Sequence, residues 1–188
     1  VEARLADDAL PIDLLINNAG FGHQGQFVEL DLDAEVSVID VNVTAVVRLA
    51  HAAGAAMAAR GAGAILNVAS IAAFVPSPGT AIYGASKAFV VSFGEALHQE
   101  LADTGVVVST ICPGFTRTEF QARADYDASG IPGMLWQTSD RVAELALAGL
   151  EKGSARIVPG LHNKAAAGAT KLLPAFVNRR VAGVLSEG

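Results

Sequence analysis

The sequence predicts one α/β domain, residues 1–188, built on a parallel, doubly wound sheet. Three observations carry that prediction. Short apolar runs at Ile12 to Ile16, Ala64 to Val68 and Val106 to Ile111 each close on Asn, Gly, Ser or Pro, as buried strands ending in turns do. Stretches long enough to cross over a sheet as helices separate them. The composition, 52% hydrophobic and 17% charged over 188 residues, supplies a sizeable core for a single domain.

Taken in order, "VEARLADD" reads as the tail of a helix. "PIDLLINNAG" gives the first strand, closed by Asn17, Asn18 and Gly20. Residues 33–61 read as one long helix, with Asp33 as N-cap and Gly61 just past the end. The second strand follows, then a loop with Pro76, Pro78 and Gly79, then a helix from Ala81 to Ala102 that Gly105 stops. The third strand ends at Pro113 and Gly114. An irregular segment runs to Gln137, followed by a capped helix in "TSDRVAELALAGLEKG", a short strand in "ARIVPG" and a helix over Asn163 to Leu185. The chain shows no internal repeat and no linker between domains.

Composition narrows the function. A net charge of −6 with no basic cluster argues against nucleic acid, whose phosphates need grouped Lys and Arg. One cysteine, Cys112, allows no internal disulfide framework and suits a reducing cytoplasm. It reads as a small buried apolar residue rather than a nucleophile. The longest uncharged stretch, Gly61 to Ser86, is broken by Asn67, Pro76, Pro78 and Gly79, so no membrane span is expected there, and no signal peptide is evident. His23, His51, His98 and His162 lack ligand spacing, so no metal site is expected; His51 and His98 read as helix-surface residues.

The polar residues at strand ends are more pointed. Ligands of open parallel sheets bind at the carboxyl ends of strands. Here those ends carry Asn17 and Asn18, then Ser70, then Thr116 and Thr118. The helix starting near Ala81 adds Tyr83 and Lys87, four residues apart and so on one face. A cation beside a phenol favours the phenolate and lowers the tyrosine pKa. Such a tyrosine gives a proton to a carbonyl oxygen or takes one from an alcohol. Ser70 is placed to stabilise charge on the same oxygen.

"NNAG" at 17–20, "NVAS" at 67–70, the Tyr83-Gly-Ala-Ser-Lys87 run and "PGFTRT" at 113–118 together resemble the short-chain dehydrogenase/reductase family. The resemblance runs from about Asp13 to Val158. It implies that Tyr83 is the catalytic acid/base, that Lys87 lowers its pKa and binds the nicotinamide ribose, and that Ser70 orients the substrate oxygen. It implies that Asn42 bends its helix and holds a relay water. Asn18 and Gly20 would line the cofactor, and Pro113, Gly114, Thr116 and Thr118 would meet the nicotinamide end. The implied cofactor is NAD or NADP, the implied substrate a small alcohol or carbonyl compound, and the implied assembly a homodimer or homotetramer of a cytoplasmic enzyme.

The family opens with a strand, a glycine-rich turn and a helix N-terminus that hold pyrophosphate. This sequence has no such segment: "GFGHQG" at 20–25 follows NNAG and reads as loop. The expected fold is therefore a Rossmann-like sheet incomplete at its N-terminal side, which leaves the first strand as an apolar edge. Two matters stay open. Residues 119–137, with Phe120, Tyr126, Ile131, Met134, Leu135 and Trp136, read either as a substrate lid or as a loop packing its own apolar residues. As a lid they imply a substrate apolar around its reacting carbon. The alternative to an enzyme is a truncated fragment, or a Rossmann-like binding protein that keeps these residues without catalysis.

Overall fold

The computed structural model describes all residues except 6, 8, 125–129 and 173–188. Its strands are β1 (Leu14–Asn17), β2 (Gly63–Val68), β3 (Val106–Ile111), β4 (Thr116–Arg117), β5 (Gln137–Thr138) and β6 (Arg156–Ile157). Its helices are α1 (Glu2–Leu5), α2 (Leu32–Ile39), α3 (Ala45–Arg60), α4 (Ala81–Glu100), α5 (Phe120–Arg123), α6 (Ser139–Glu151) and α7 (Leu161–Leu172). The main sheet has the order β1-β2-β3-β6, with all neighbours parallel. β4 and β5 form a separate two-residue parallel ladder. The predicted parallel α/β fold is the one observed.

Alternation along the strands divides the core between two faces. Ile65, Val106 and Val108 pack with Leu5, Ala53 and Met57 under α1, α3 and α4. Leu66 and Ile111 pack with Ala146 and Leu150 of α6 on the other face. β1 is the outermost strand, and Leu14 and Ile16 are 37% and 47% exposed, the apolar edge expected from the sequence.

α2 and α3 are one helical run interrupted by a π turn at Asp40–Thr44, centred on Asn42. A stripe of Val38, Asn42, Val46, Ala50, Ala53 and Met57 is buried along it. By length and composition alone the 29-residue run Leu32–Arg60 passes for a membrane span, but here the stripe is buried within the protein, with Ala53 and Met57 against the sheet and Asn42 bonded to Ser86 of α4. Gly61 stops the run in the left-handed region, at φ 72°. The N-cap is Asp31, not Asp33: its backbone is extended and Oδ1 accepts from the Ala34 N–H at 2.8 Å. The helix already begins at Leu32, so Asp33 sits in the first turn, where its charge suits the dipole.

α4 meets the sheet at Gly94. A Cβ there would fall 2.1 Å from Thr110 Oγ1, so only hydrogen fits between this helix and β3. His98, read from sequence as a surface residue, is partly buried, and its Nδ1–H donates to the Val108 C=O at 2.7 Å. The segment expected to be irregular before Gln137 contains, among its described residues, β4, α5 and a 3-10 turn at Gly133–Leu135. α7 starts two residues before the expected Asn163, while residues 173–185 of that helix and Tyr126 lie outside the described residues.

Candidate active site

The site forms where β1, β2 and β3 end and α4 begins. Tyr83 and Lys87 lie on one face of α4, as their spacing predicts, with Lys87 Nζ 5.7 Å from the Tyr83 ring centroid. The loop after β1 presses on that ring: a Cβ at Gly22 would lie 2.9 Å from Tyr83 Cβ and Cδ2. Phe120 of α5 packs against the same ring at 5.3 Å. Ser70, at the end of β2, has its Oγ accepting from the Ala72 N–H at 3.2 Å. That leaves the hydroxyl proton free to be given away, and the Ser70 hydroxyl stands close enough to the Tyr83 phenol to pull its pKa down. The two hydroxyls therefore share one crevice.

Burial pushes the Tyr83 pKa above the ordinary tyrosine value, and the Ser70 hydroxyl only partly opposes it. This corrects the expectation that Lys87 makes the phenol acidic. The ammonium is aimed elsewhere: Nζ donates to the Val68 C=O at 2.9 Å and sits over the ring rather than at the hydroxyl. Lys87 is itself 5% exposed, and burial brings its pKa down to about 8, with Cys112 opposing the fall. Cys112 is fully buried and its thiol is pushed up to about 12 by that burial, so it is inert as a nucleophile.

Asn42 is 1% exposed and binds the post-β1 loop. Its Oδ1 accepts from the Phe21 N–H at 3.1 Å, and its Nδ2 donates to the Phe21 C=O at 2.9 Å and to Ser86 Oγ at 3.0 Å. Ser86 Oγ donates onward to the Tyr83 C=O at 2.7 Å. Gly20 lies between Asn42 and Lys87: a Cβ on it would be 3.0 Å from Asn42 Oδ1 and 3.1 Å from Lys87 Nζ. Pro113 joins through its C=O, which accepts from the Ile71 N–H at 2.9 Å beside Ser70.

The structure thus gathers Gly20, Asn42, Ser70, Tyr83 and Lys87, with Pro113 and Gly114 one hydrogen bond away. Asn18 is exposed at the turn, its N–H donating to the Ile16 C=O at 3.1 Å. Thr116 Oγ1 donates to the Gly114 C=O at 3.0 Å. Thr118 is exposed, and its hydroxyl accepts from the Phe120 N–H at 3.2 Å, serving the start of α5. Asn17 is buried; its Nδ2 donates to Asn67 Oδ1 across β1 and β2 at 2.9 Å.

Sequence reasoning missed one pair at this site. Glu35 of α2 is 4% exposed, and its carboxylate meets His23 Nδ1 at 2.8 Å. His23 follows Gly22, so this pair fixes the loop that covers Tyr83. A buried position for Glu35 at helical spacing from Val38 and Asn42 was the available signal.

Residues 2–128 match the family model described as short chain dehydrogenase. The acetoacetyl-CoA reductase of Shinella zoogloeoides is 38% identical over 117 residues, 62% of this chain and 48% of that protein. A short-chain dehydrogenase from Sphingobium yanoikuyae, solved in complex with NADPH, superposes with a TM-score of 0.80 at 34% identity, covering 100% of this chain and 69% of the other. A bulky-bulky ketone specific alcohol dehydrogenase from Comamonas testosteroni superposes with a TM-score of 0.74 at 32% identity, covering 92% and 68%. The chain spans about half or less of the length of the curated relatives it matches. It belongs to the short-chain dehydrogenase family.

Proposed function

We propose that this protein is an oxidoreductase that passes a hydride between a nicotinamide dinucleotide, NAD or NADP, and an alcohol or carbonyl compound. The observation that carries this reading is the gathering of the Ser70 hydroxyl, a buried Tyr83 phenol and the amine of Lys87, whose Nζ lies 5.7 Å from the Tyr83 ring centroid. The residues present fit the ribose end of a dinucleotide. The Lys87 ammonium has three N–H groups, and one acceptor, Val68 C=O, among the described residues. Gly20, with no side chain, leaves the approach to that amine open. When bound, the dinucleotide supplies or accepts the hydride.

The protein's own part is positional and acid–base. A raised pKa keeps Tyr83 protonated at neutral pH, so its Oη gives a proton to the carbonyl oxygen as the carbon is reduced. In the reverse direction the phenolate takes the proton from the alcohol. Ser70 donates a hydrogen bond to the same oxygen and holds it against Tyr83. Lys87 holds the ribose hydroxyls. Asn42 and Phe21 keep the loop with Gly20 and Gly22 against the ring. Asn18 lines the cofactor near the ribose, and Pro113, Gly114, Thr116 and Thr118 complete the nicotinamide side. Phe120 against the Tyr83 ring favours a substrate that is apolar around its reacting carbon.

A homodimer or homotetramer fits the exposed apolar residues Val36, Ile39 and Phe89 on α2 and α4, and the compartment that fits a lone buried thiol is the cytoplasm. The test is Tyr83→Phe in the full-length protein, assayed against a panel of apolar ketones with NADH and NADPH. Turnover falls by roughly a hundredfold or more while dinucleotide binding stays within about twofold of wild type. Turnover at the wild-type rate in that variant refutes the assignment.

A further inference from the structure

Asn163, in the first turn of α7, is a buried polar residue, 4% exposed, outside the set gathered around Tyr83. Its Nδ2 donates to the Pro159 C=O at 2.7 Å. Its amide lies directly against Gly114. A Cβ on Gly114 would be 2.5 Å from Nδ2 and 2.6 Å from Oδ1, closer than side-chain atoms approach. Gly160, at φ 86°, closes the other side of the cluster: a Cβ there would lie 3.3 Å from Gln137 Nε2 and 3.4 Å from Asn163 Nδ2. Gln137 in turn donates its backbone N–H to the Phe115 C=O at 2.9 Å. The segments after β3 and after β6 therefore meet at one side-chain amide, and Gln137 of β5 lies against the same Gly160.

The amide suits this place for physical reasons. It is flat, so it fits against a bare Cα. It carries a donor that the Pro159 carbonyl needs. Alanine would leave a void and an unsatisfied carbonyl, and aspartate would set a negative charge against that carbonyl. The contact also reaches the candidate catalytic side. Gly114 is bonded to Pro113, whose C=O accepts from the Ile71 N–H, and Ile71 follows Ser70. Gly114 C=O accepts from Thr116 Oγ1 at 3.0 Å.

We propose that Asn163 is a positioning residue for dinucleotide binding: its amide sets the height of the Pro113–Gly114 turn, and through that turn the aim of Thr116 and Ser70. The inference rests on the dehydrogenase reading above. It assigns to α7, at the far end of the fold from Tyr83 in sequence, a part in the nicotinamide side of the site.

The test measures NADH and NADPH binding through Trp136 emission in the full-length protein. Trp136 reports on this region, since its ring lies 5.8 Å from Phe115 and 5.4 Å from the Arg117 guanidinium. Asn163→Ala weakens binding of the preferred dinucleotide tenfold or more. Without dinucleotide, it also speeds amide hydrogen exchange at Ile71 and Gln137. Met57→Ala, a cavity in the core under α3 among residues that do not touch Asn163 or Gly114, lowers thermal stability and leaves affinity unchanged. Gly114→Ala weakens binding through its clash with the amide, and adding Asn163→Ala to it brings no further loss, as for two residues acting through one contact. Should Asn163→Ala not fold, Asn163→Ser carries the same measurement. Wild-type affinity in the Asn163 variant, or an equal loss in Met57→Ala, overturns the proposal and leaves the dehydrogenase reading intact. No binding of either dinucleotide by the wild type defeats that reading, and this inference with it.

Discussion

Asn42 and Phe21 form a reciprocal pair in which one side-chain amide answers both backbone groups of one residue, at 3.1 Å and 2.9 Å. The pair ties the π turn in the α2–α3 run to the loop after β1, much as two strands are tied in a sheet. Asn42→Ala leaves the Phe21 N–H and C=O without these partners and removes a donor from Ser86. The expected loss is about 2 to 3 kcal/mol in urea unfolding, with turnover reduced further than stability accounts for. Stability within about 0.5 kcal/mol of wild type would show that water replaces the amide.

Gly22→Ala tests the cover of the ring. The new methyl would meet Tyr83 Cβ and Cδ2 at 2.9 Å, and Gly22 needs no unusual φ, so the contact alone is at issue. Turnover should fall roughly 10- to 100-fold as the phenol is displaced. Gly133→Ala, where nothing lies within 4 Å, should be silent in the same assay.

Lys87 predicts a pH dependence of stability. Its pKa falls from 10.5 in the unfolded chain to about 8 in the fold, so between those values the unfolded state holds the extra proton. The lysine's contribution to stability therefore improves as pH rises from about 8 to 10.5, and below 8 its burial costs on the order of 3 kcal/mol. Cys112 and Tyr83 act in the opposite sense at alkaline pH, because their pKa values are raised. Comparison with Lys87→Met cancels them. Lys87→Met should be the more stable protein at pH 7, by less than that figure because the bond to Val68 is lost, and its advantage should shrink as pH approaches 10.5. A difference that stays flat from pH 7 to 10.5 would contradict the lowered pKa.

Glu35 and His23 offer a pair of unequal substitutions. Glu35→Gln keeps a hydrogen-bonding oxygen for His23 Nδ1 at 2.8 Å, whereas Glu35→Ala leaves the imidazole unanswered in a partly closed place. Alanine should cost about 1 to 3 kcal/mol and glutamine less than half of that, read by chemical denaturation. Equal losses would mean that the carboxylate's charge, not its hydrogen bond, is what the loop uses.

Much of this was legible in the chain because it is local. Tyr83 and Lys87 share a face by helical spacing, and Ser70, Pro113 and Gly114 stand at strand ends that a parallel sheet must align. The parallel sheet follows from short apolar runs bounded by turn residues and separated by stretches long enough to cross over as helices. What escaped depends on contacts between segments distant in sequence. The direction of the Tyr83 pKa shift depends on the cover supplied by Gly22 and Phe120, which no spacing from Lys87 reveals. His23 finds Glu35 only once the loop turns back on α2, and Asn163 acquires meaning only when α7 is laid over Gly114. His98 looked exposed because its stripe on α4 says nothing of the carbonyl of Val108 waiting beneath it.

The missing side chain at Gly94 leaves α4 no slack against β3. A helix seated on bare backbone at its middle cannot be slid or tilted without collision, and Tyr83 and Lys87 ride at its front end. Changes at Phe120 would therefore alter what lies against the Tyr83 ring without moving the helix that carries it.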